Sequence, residues 1–399
     1  MTMKIKRYNQ RNAMTMKWCI LSLFFLLQLN SCRTDDPIIY STRTTTDSKT
    51  TVSPYQGLYV LCQGNMGSNK ASLDYLDLAD STATYYRNVY AERNPDAIKE
   101  LGDVGNDIKI YGSKLWMVIN CSNKIEVATA DTLSRRVAKI DIPNCRYIDF
   151  DGGYAYVTSY VGTSVIDYNR LGAVYQIDTA TCKVVKTVNV GYQPDELAIR
   201  NGKIYVANSG GYKGNMGRGY DNTLSVIDIA TMTEERQITV GMNPYRVRFD
   251  GMGQLWVSYR GDYGEKAPGL MLLSTDETGQ MAVKKQMDIA VSQMCIVGDS
   301  LYYIYGDTKA EIGERAISHG IINVRTLEIV NKSLSSSAEM AKIETPYGLV
   351  VNPSTKDFYV MDAKDYVSSG QLLHFLKDGT FDYSVWTGDI PCEAVFLKK

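Results

Sequence analysis

Histidine is nearly absent from this chain: His319 and His374 are the only two in 399 residues. A metal centre built on several imidazoles is therefore excluded. There is no H-E-x-x-H pair, no Walker A loop and no G-x-S-x-G elbow. Gly214-Asn-Met-Gly-Arg-Gly219 has the glycines of a phosphate loop, but no helical pattern follows it, so it reads as a flexible loop. Carboxylate neighbours such as Asp195-Glu196 have no histidine or metal ligand to work with. Without bases, metal or cofactor motifs, an enzyme such as a lactonase or lyase gives way to a binding protein. No run is long enough to span a bilayer, the longest apolar one being Trp18 to Leu29. An excess of positive charge is missing too. The net charge is -1, and residues 1–31 hold Lys4, Lys6, Arg7, Arg11 and Lys17 without an acid, so the remainder is distinctly acidic. That balance argues against a nucleic-acid or anionic-lipid surface. Phenylalanine is scarce at 8 and tryptophan at 4, whereas tyrosine reaches 29. A core takes Phe and Leu more readily than Tyr, so many phenols are expected at surfaces or pockets.

The basic start and the apolar run to Leu29 have the form of a signal peptide. Met-Thr-Met-Lys occurs at 1–4 and again at 14–17, which leaves the start open between Met1 and the later methionines. Leu29-Asn-Ser-Cys32 resembles a bacterial lipobox, which implies a signal peptide at 1–31 and a lipidated Cys32. Asp35 and Asp36 resemble the surface-export signal of some Gram-negative lipoproteins. Residues 32–54, rich in Thr, Ser and Asp, read as a flexible tether.

Beyond the tether the chain repeats itself. One unit runs from Pro194-Asp-Glu-Leu-Ala-Ile-Arg through Lys203-Ile-Tyr-Val-Ala-Asn and Thr223-Leu-Ser-Val-Ile-Asp-Ile to Arg236-Gln-Ile-Thr-Val-Gly241. It holds four short apolar segments separated by Gly and Asn turns, as an antiparallel four-stranded sheet requires. The aromatic of its second segment recurs at Tyr59, Trp116, Tyr156, Tyr205, Trp256, Tyr302 and Tyr359, with a mean spacing of 50 residues. That period predicts an all-β, seven-bladed β-propeller over residues 55–399. The first unit lacks a first strand, and Pro391-Cys-Glu-Ala-Val-Phe-Leu397 is a first strand without a successor. Pairing the two closes the ring and removes the open seam.

Tyr205-Val-Ala-Asn, Leu224-Ser-Val-Ile-Asp-Ile-Ala-Thr231 and Ile238-Thr-Val-Gly-Met-Asn-Pro244 resemble the repeat of the YVTN, or YncE-like, β-propellers. Tyr156-Val-Thr-Ser and Val188-Asn-Val-Gly-Tyr-Gln-Pro194 repeat the pattern. The opening Leu58-Tyr-Val-Leu-Cys-Gln-Gly-Asn-Met-Gly-Ser-Asn69, behind a lipoprotein signal, is similar to the BtuG-like surface lipoproteins of gut anaerobes. That resemblance implies an outer-membrane protein facing the exterior. Its implied role is to capture cobalamin or a related corrinoid and pass it to a BtuB-like TonB-dependent transporter.

Six cysteines remain beyond the anchor: Cys62, Cys121, Cys145, Cys182, Cys295 and Cys392. If Leu397 pairs with Gly57, regular register places Cys392 opposite Cys62. That rung holds either a disulfide across the closure or two buried thiols. For ligand binding the signal is geometric, because second-to-third loops and between-blade connections emerge on one face. The long loops are Ser159 to Asn169, Ser209 to Tyr220, Tyr259 to Gly264, Gly306 to Gly320 and Ala363 to Gly370. They offer Tyr160, Tyr168, Tyr212, Tyr220, Tyr259, Arg260, Tyr263 and Tyr366, and the connections add Asn106, Arg146, Gln193, Asp195, Tyr245, Arg246 and Tyr347. Phenols supply rigid area with a polar tip, and glycine-rich loops fit around a large ligand. No metal ligand from the protein is expected. The alternatives are a glycan-binding lipoprotein, against which scarce tryptophan speaks, and a protein–protein scaffold, which needs a broad apolar patch.

Overall fold

The computed structural model describes residues 41–49, 54–80, 82–95, 100–162, 169–306 and 316–399. The segment expected to be a signal peptide, 1–31, the expected lipidation site Cys32 and Tyr168 lie outside the described residues. Short runs rich in Val, Ile, Leu and Tyr become strands, and tight turns join them. Asn201-Gly202 is one such turn, with both residues in the left-handed region at φ 50° and 73°. Seven antiparallel sheets result, as the repeat predicts. The first strands of blades two to seven are Gly105–Tyr111, Cys145–Asp151, Pro194–Arg200, Pro244–Phe249, Gln293–Val297 and Pro346–Val351. Among the described residues, no helix is long and apolar enough to cross a membrane.

Blade one holds β1 (Arg43–Asp47), β2 (Tyr55–Cys62), β3 (Ser72–Asp77), β4 (Thr82–Tyr86) and the C-terminal strand Pro391–Lys398, in the order β1-β4-β3-β2 followed by the C-terminal strand. Gly57 faces Leu397, the expected register, so the last strand closes the ring. β1 departs from the expected tether. Arg43 to Asp47 pair with Tyr86 to Thr82 along the edge of β4. A run of β-branched threonines suits a strand, and the edge of β4 offers unpaired backbone groups. The loop predicted from Gly306 to Gly320 is also shorter, because a strand begins at Ile317.

The apolar core is divided among the contacts between blades. Among the described residues seven buried clusters join one blade to the next. Alternate residues of β2 serve both sides: Tyr59 and Leu61 pack toward blade two, Leu58, Val60 and Cys62 toward blade seven. Strands buried on both faces need continuous apolar runs, which is what β2 has. All seven repeat aromatics lie in these clusters, one at each contact, and Trp116 and Trp256 are fully buried.

The Cys62–Cys392 disulfide does not form; both thiols are free. A bulge shifts the register so that Leu61 faces Glu393 and Cys62 faces Pro391, leaving Cys392 as the extra residue. The sulfurs then lie in different clusters. Cys62 Sγ is 3.5 Å from Asp74 Oδ2, and Cys392 Sγ is 3.3 Å from the Leu61 carbonyl.

Candidate ligand-binding face

First strands start on the face where the second-to-third loops emerge, and in six blades they start with a bulge. A bulge sets two residues against one and re-aims their side chains. The pairs Arg146-Tyr147, Asp195-Glu196 and Tyr245-Arg246 sit at these bulges. Each supplies one group to a cluster at the mouth and one to, or beside, a deeper cluster in the channel.

At the mouth, Asp195 is 1% exposed and accepts hydrogen bonds from Tyr160 Oη at 3.0 Å, Arg260 Nη1 at 3.1 Å and Arg146 Nη2 at 3.3 Å. Burial pushes this carboxyl up, but Arg260, Arg146 and the Tyr160 hydroxyl outweigh it and hold it below the usual range. Two guanidiniums share one carboxylate, so this floor has one cation in excess. The Arg260 guanidinium lies 3.4 Å from the Tyr245 ring centroid and that of Arg246 lies 4.5 Å from it. Tyr147 Oη donates to Tyr245 Oη at 3.1 Å. Burial raises Tyr147 and Tyr160 well above the ordinary phenol range, so both remain neutral donors.

Deeper in the channel, Arg246 is 2% exposed and is held by Glu393 at 2.6 Å and Glu196 at 3.4 Å. Arg248 adds a contact to Glu196 at 3.1 Å. Burial pushes Asp107 up to about 6 against the pull of Lys109. This layer borders a cavity of about 420 Å³ that includes Lys109, Asp149, Arg248 and Glu393.

Above the floor the tyrosines meet edge to face. Tyr160 pairs with Tyr212 at 5.6 Å, Tyr220 with Tyr263 at 5.9 Å and Tyr347 with Tyr366 at 5.6 Å. Tyr220 lies against a single helical turn, Gly211–Asn215, and a Cβ on Gly214 would sit 2.2 Å from its ring. Only glycine allows that approach. Tyr347 donates to Gln63 Oε1 at 2.9 Å. Met66, Met216 and Val367, on three separate loops of this face, are exposed.

The structure thus brings together Arg146, Tyr160, Asp195, Tyr212, Tyr220, Tyr245, Arg260 and Tyr263, with Tyr347 and Tyr366 beside blade one. Asn106 and Gln193 act as braces: Asn106 Nδ2 donates to the Arg146 carbonyl at 2.7 Å, and Gln193 Oε1 accepts from the Lys213 amide at 3.2 Å. Arg246 is consumed by its glutamates. Tyr259 lies within blade five, over Gly241 and Gly269, and accepts from Gln286 Nε2 at 3.0 Å. Tyr147, Glu196, Glu393 and Gln63 were missed. The strand position after Arg146, Asp195 and Cys392 carried the signal for three of them, but alternation places it on the opposite side unless the bulge is known. Among the described residues, no three His, Cys, Asp or Glu side chains converge as a metal site.

No protein-family profile and no curated protein sequence matches the chain. Solved structures do. A selenium-binding protein from Sulfolobus tokodaii, described as hypothetical, superposes with a TM-score of 0.61 at 11% identity, over 88% of this chain and 97% of that one. The periplasmic gluconolactonase of Pseudomonas aeruginosa gives 0.59 at 11% identity, over 85% and 99%. A quinonprotein alcohol dehydrogenase-like protein from Bacteroides thetaiotaomicron gives 0.56 at 14% identity, over 86% and 78%. The likeness is one of fold. These propellers share the blade architecture, and at such identities their names say nothing of this chain's ligand.

Proposed function

We propose that this propeller is a non-enzymatic surface lipoprotein that captures cobalamin or a related corrinoid. In this reading a diacylated Cys32 holds it at the outer membrane, and a TonB-dependent transporter receives the ligand. The observation that carries the reading is the loop face itself, where paired tyrosines, from the buried Tyr160 to the exposed Tyr263, lie about a buried Asp195 shared by Arg146 and Arg260. A corrinoid is a broad, nearly flat ring edged by amides, with a nucleotide tail bearing one phosphate. Phenol rings pack against the flat faces, and hydroxyls and carbonyls serve the amides. The cation in excess at Arg146 and Arg260 suits the single phosphate. Titration calorimetry and the visible absorption of cobalamin test this directly, with one-to-one binding expected. No detectable binding at micromolar protein refutes it, and glycan binding in the same assay would favour the glycan reading.

A further inference from the structure

β1 runs antiparallel to β4, with Arg43 beside Tyr86 and Asp47 beside Thr82. β4 ends toward the loop face, where the connection to blade two begins, so β1 starts there and ends at the opposite face. Both ends are clasped. The Arg87 amide donates to the Thr42 carbonyl at 3.0 Å, and the Ser41 amide to Glu92 Oε2 at 3.1 Å. At the far end Asp382 accepts from Ser48 Oγ at 2.8 Å and from the Lys49 amide at 3.0 Å. Asp382 is itself nearly buried and 3.1 Å from His374 Nδ1. The chain then enters β2 from that opposite face, since second strands run toward the loop face.

We propose that residues 41–49 are a strap that decides which face of the propeller lies at the anchored end of the chain. With the strap docked, the chain leaves the propeller at the rim of the ligand-binding face. From Ser41 to Cys32 an extended chain reaches at most about 30 Å, at roughly 3.5 Å per residue. With the strap peeled away, the chain leaves at Tyr55 on the opposite face, and its reach to Cys32 grows to about 80 Å. Docking therefore turns a long attachment at the far face into a short one at the binding face. The edge of β4 is left open in the peeled state and can take another strand. The orientation rests on the lipid-anchor reading; the strap does not.

Two variants set the two states. T44P/T45P removes whichever of the two adjacent amides pairs with β4. T45C/T84C locks the strap by a disulfide, since the two hydroxyls face each other at 3.5 Å. Hydrogen exchange on the full chain should show residues 43–47 protected at least about tenfold in the wild type and in the locked form, and unprotected in T44P/T45P. Protection elsewhere should be unchanged. On intact cells, M216C on the binding face and M252C on the opposite face are labelled with a membrane-impermeant maleimide and read by peptide mass spectrometry. The ratio of M216C to M252C labelling should be lower in the locked form than in T44P/T45P by threefold or more. Exchange at the coil rate over 43–47 in the wild type overturns the strap. Equal labelling ratios in the two variants overturn its control of orientation. Absence of the wild type from the membrane fraction overturns the anchor reading and the orientation with it, while exchange still decides the strap.

Discussion

Replacing Asp195 by asparagine removes the one negative charge that two guanidiniums share and changes almost nothing else in shape. The amide oxygen still accepts from Tyr160, so the perturbation is electrostatic. A pair of opposite charges about 4 Å apart interacts by about 4 kcal/mol at an effective dielectric constant near 20. Arg146 and Arg260 keep side-chain exposures of 16% and 27%, so water screens part of this for each. Leaving two partly buried cations without their carboxylate should then cost about 2–4 kcal/mol. In a domain of this size that is a fall in Tm of about 3–6 °C. Scanning calorimetry measures it, and a double-mutant cycle with Arg260→Gln assigns it. In the D195N background the second change should cost less than in the wild type, by about 1–3 kcal/mol. A Tm within about 1 °C of wild type, or additive effects within about 0.5 kcal/mol, would refute the shared-carboxylate floor.

Further outcomes follow from the same structure. Truncation before Pro391 leaves one edge of β2 unpaired and removes Leu397 and Phe396 from the clusters on either side of it; at about 1.5–3 kcal/mol per buried apolar side chain it should abolish cooperative unfolding, and a melt within a few degrees of the full chain would show that the ring closes otherwise. Asp107 has its folded pKa raised to about 6 from 3.8, so its contribution is fully present below about pH 4 and is lost as the pH rises through 6. This group therefore lowers stability as the pH rises through that window, opposite in sign to Asp195, so the Tm of Asp107→Asn should fall less, or rise more, than that of the wild type between about pH 4 and 7; equal slopes would refute it. Tyr212→Ala and Tyr220→Ala should each weaken corrinoid binding by about 0.5–3 kcal/mol, whereas Tyr259→Ala should lower Tm and leave affinity intact; the reverse pattern would place the ligand elsewhere. Cys32→Ala should release the protein or leave an unprocessed precursor, and a soluble, unlipidated wild type in fractionation contradicts the anchor.

The blade count was readable before any coordinates because it depends on a local quantity. Tyr59, Trp116, Tyr156, Tyr205, Trp256, Tyr302 and Tyr359 recur once per unit, and each unit must bury the same aromatic against its neighbour. Closure was readable for the same reason: a unit short of one strand and a strand short of a unit complete each other. Much of the loop face was legible too, since topology alone puts the long loops and the connections together. Tyr259 was misplaced because a loop boundary off by one residue turns a strand side chain into a loop side chain.

What periodicity carries is which residues alternate, and strand order, blade number and the loop-rich face follow from it. What only the folded chain decides is where alternation is broken. The bulges at the first strands re-aim Tyr147, Glu196 and Glu393 and draw Cys392 away from Cys62. Each sets two residues against one across a strand pair, a pairing that the order of residues along one strand does not reveal. The β1 strap belongs to the same class: Arg43-Thr-Thr-Thr-Asp47 is a polar stretch like the rest of the tether until the open edge of β4, brought there by the closed ring, gives its backbone a partner.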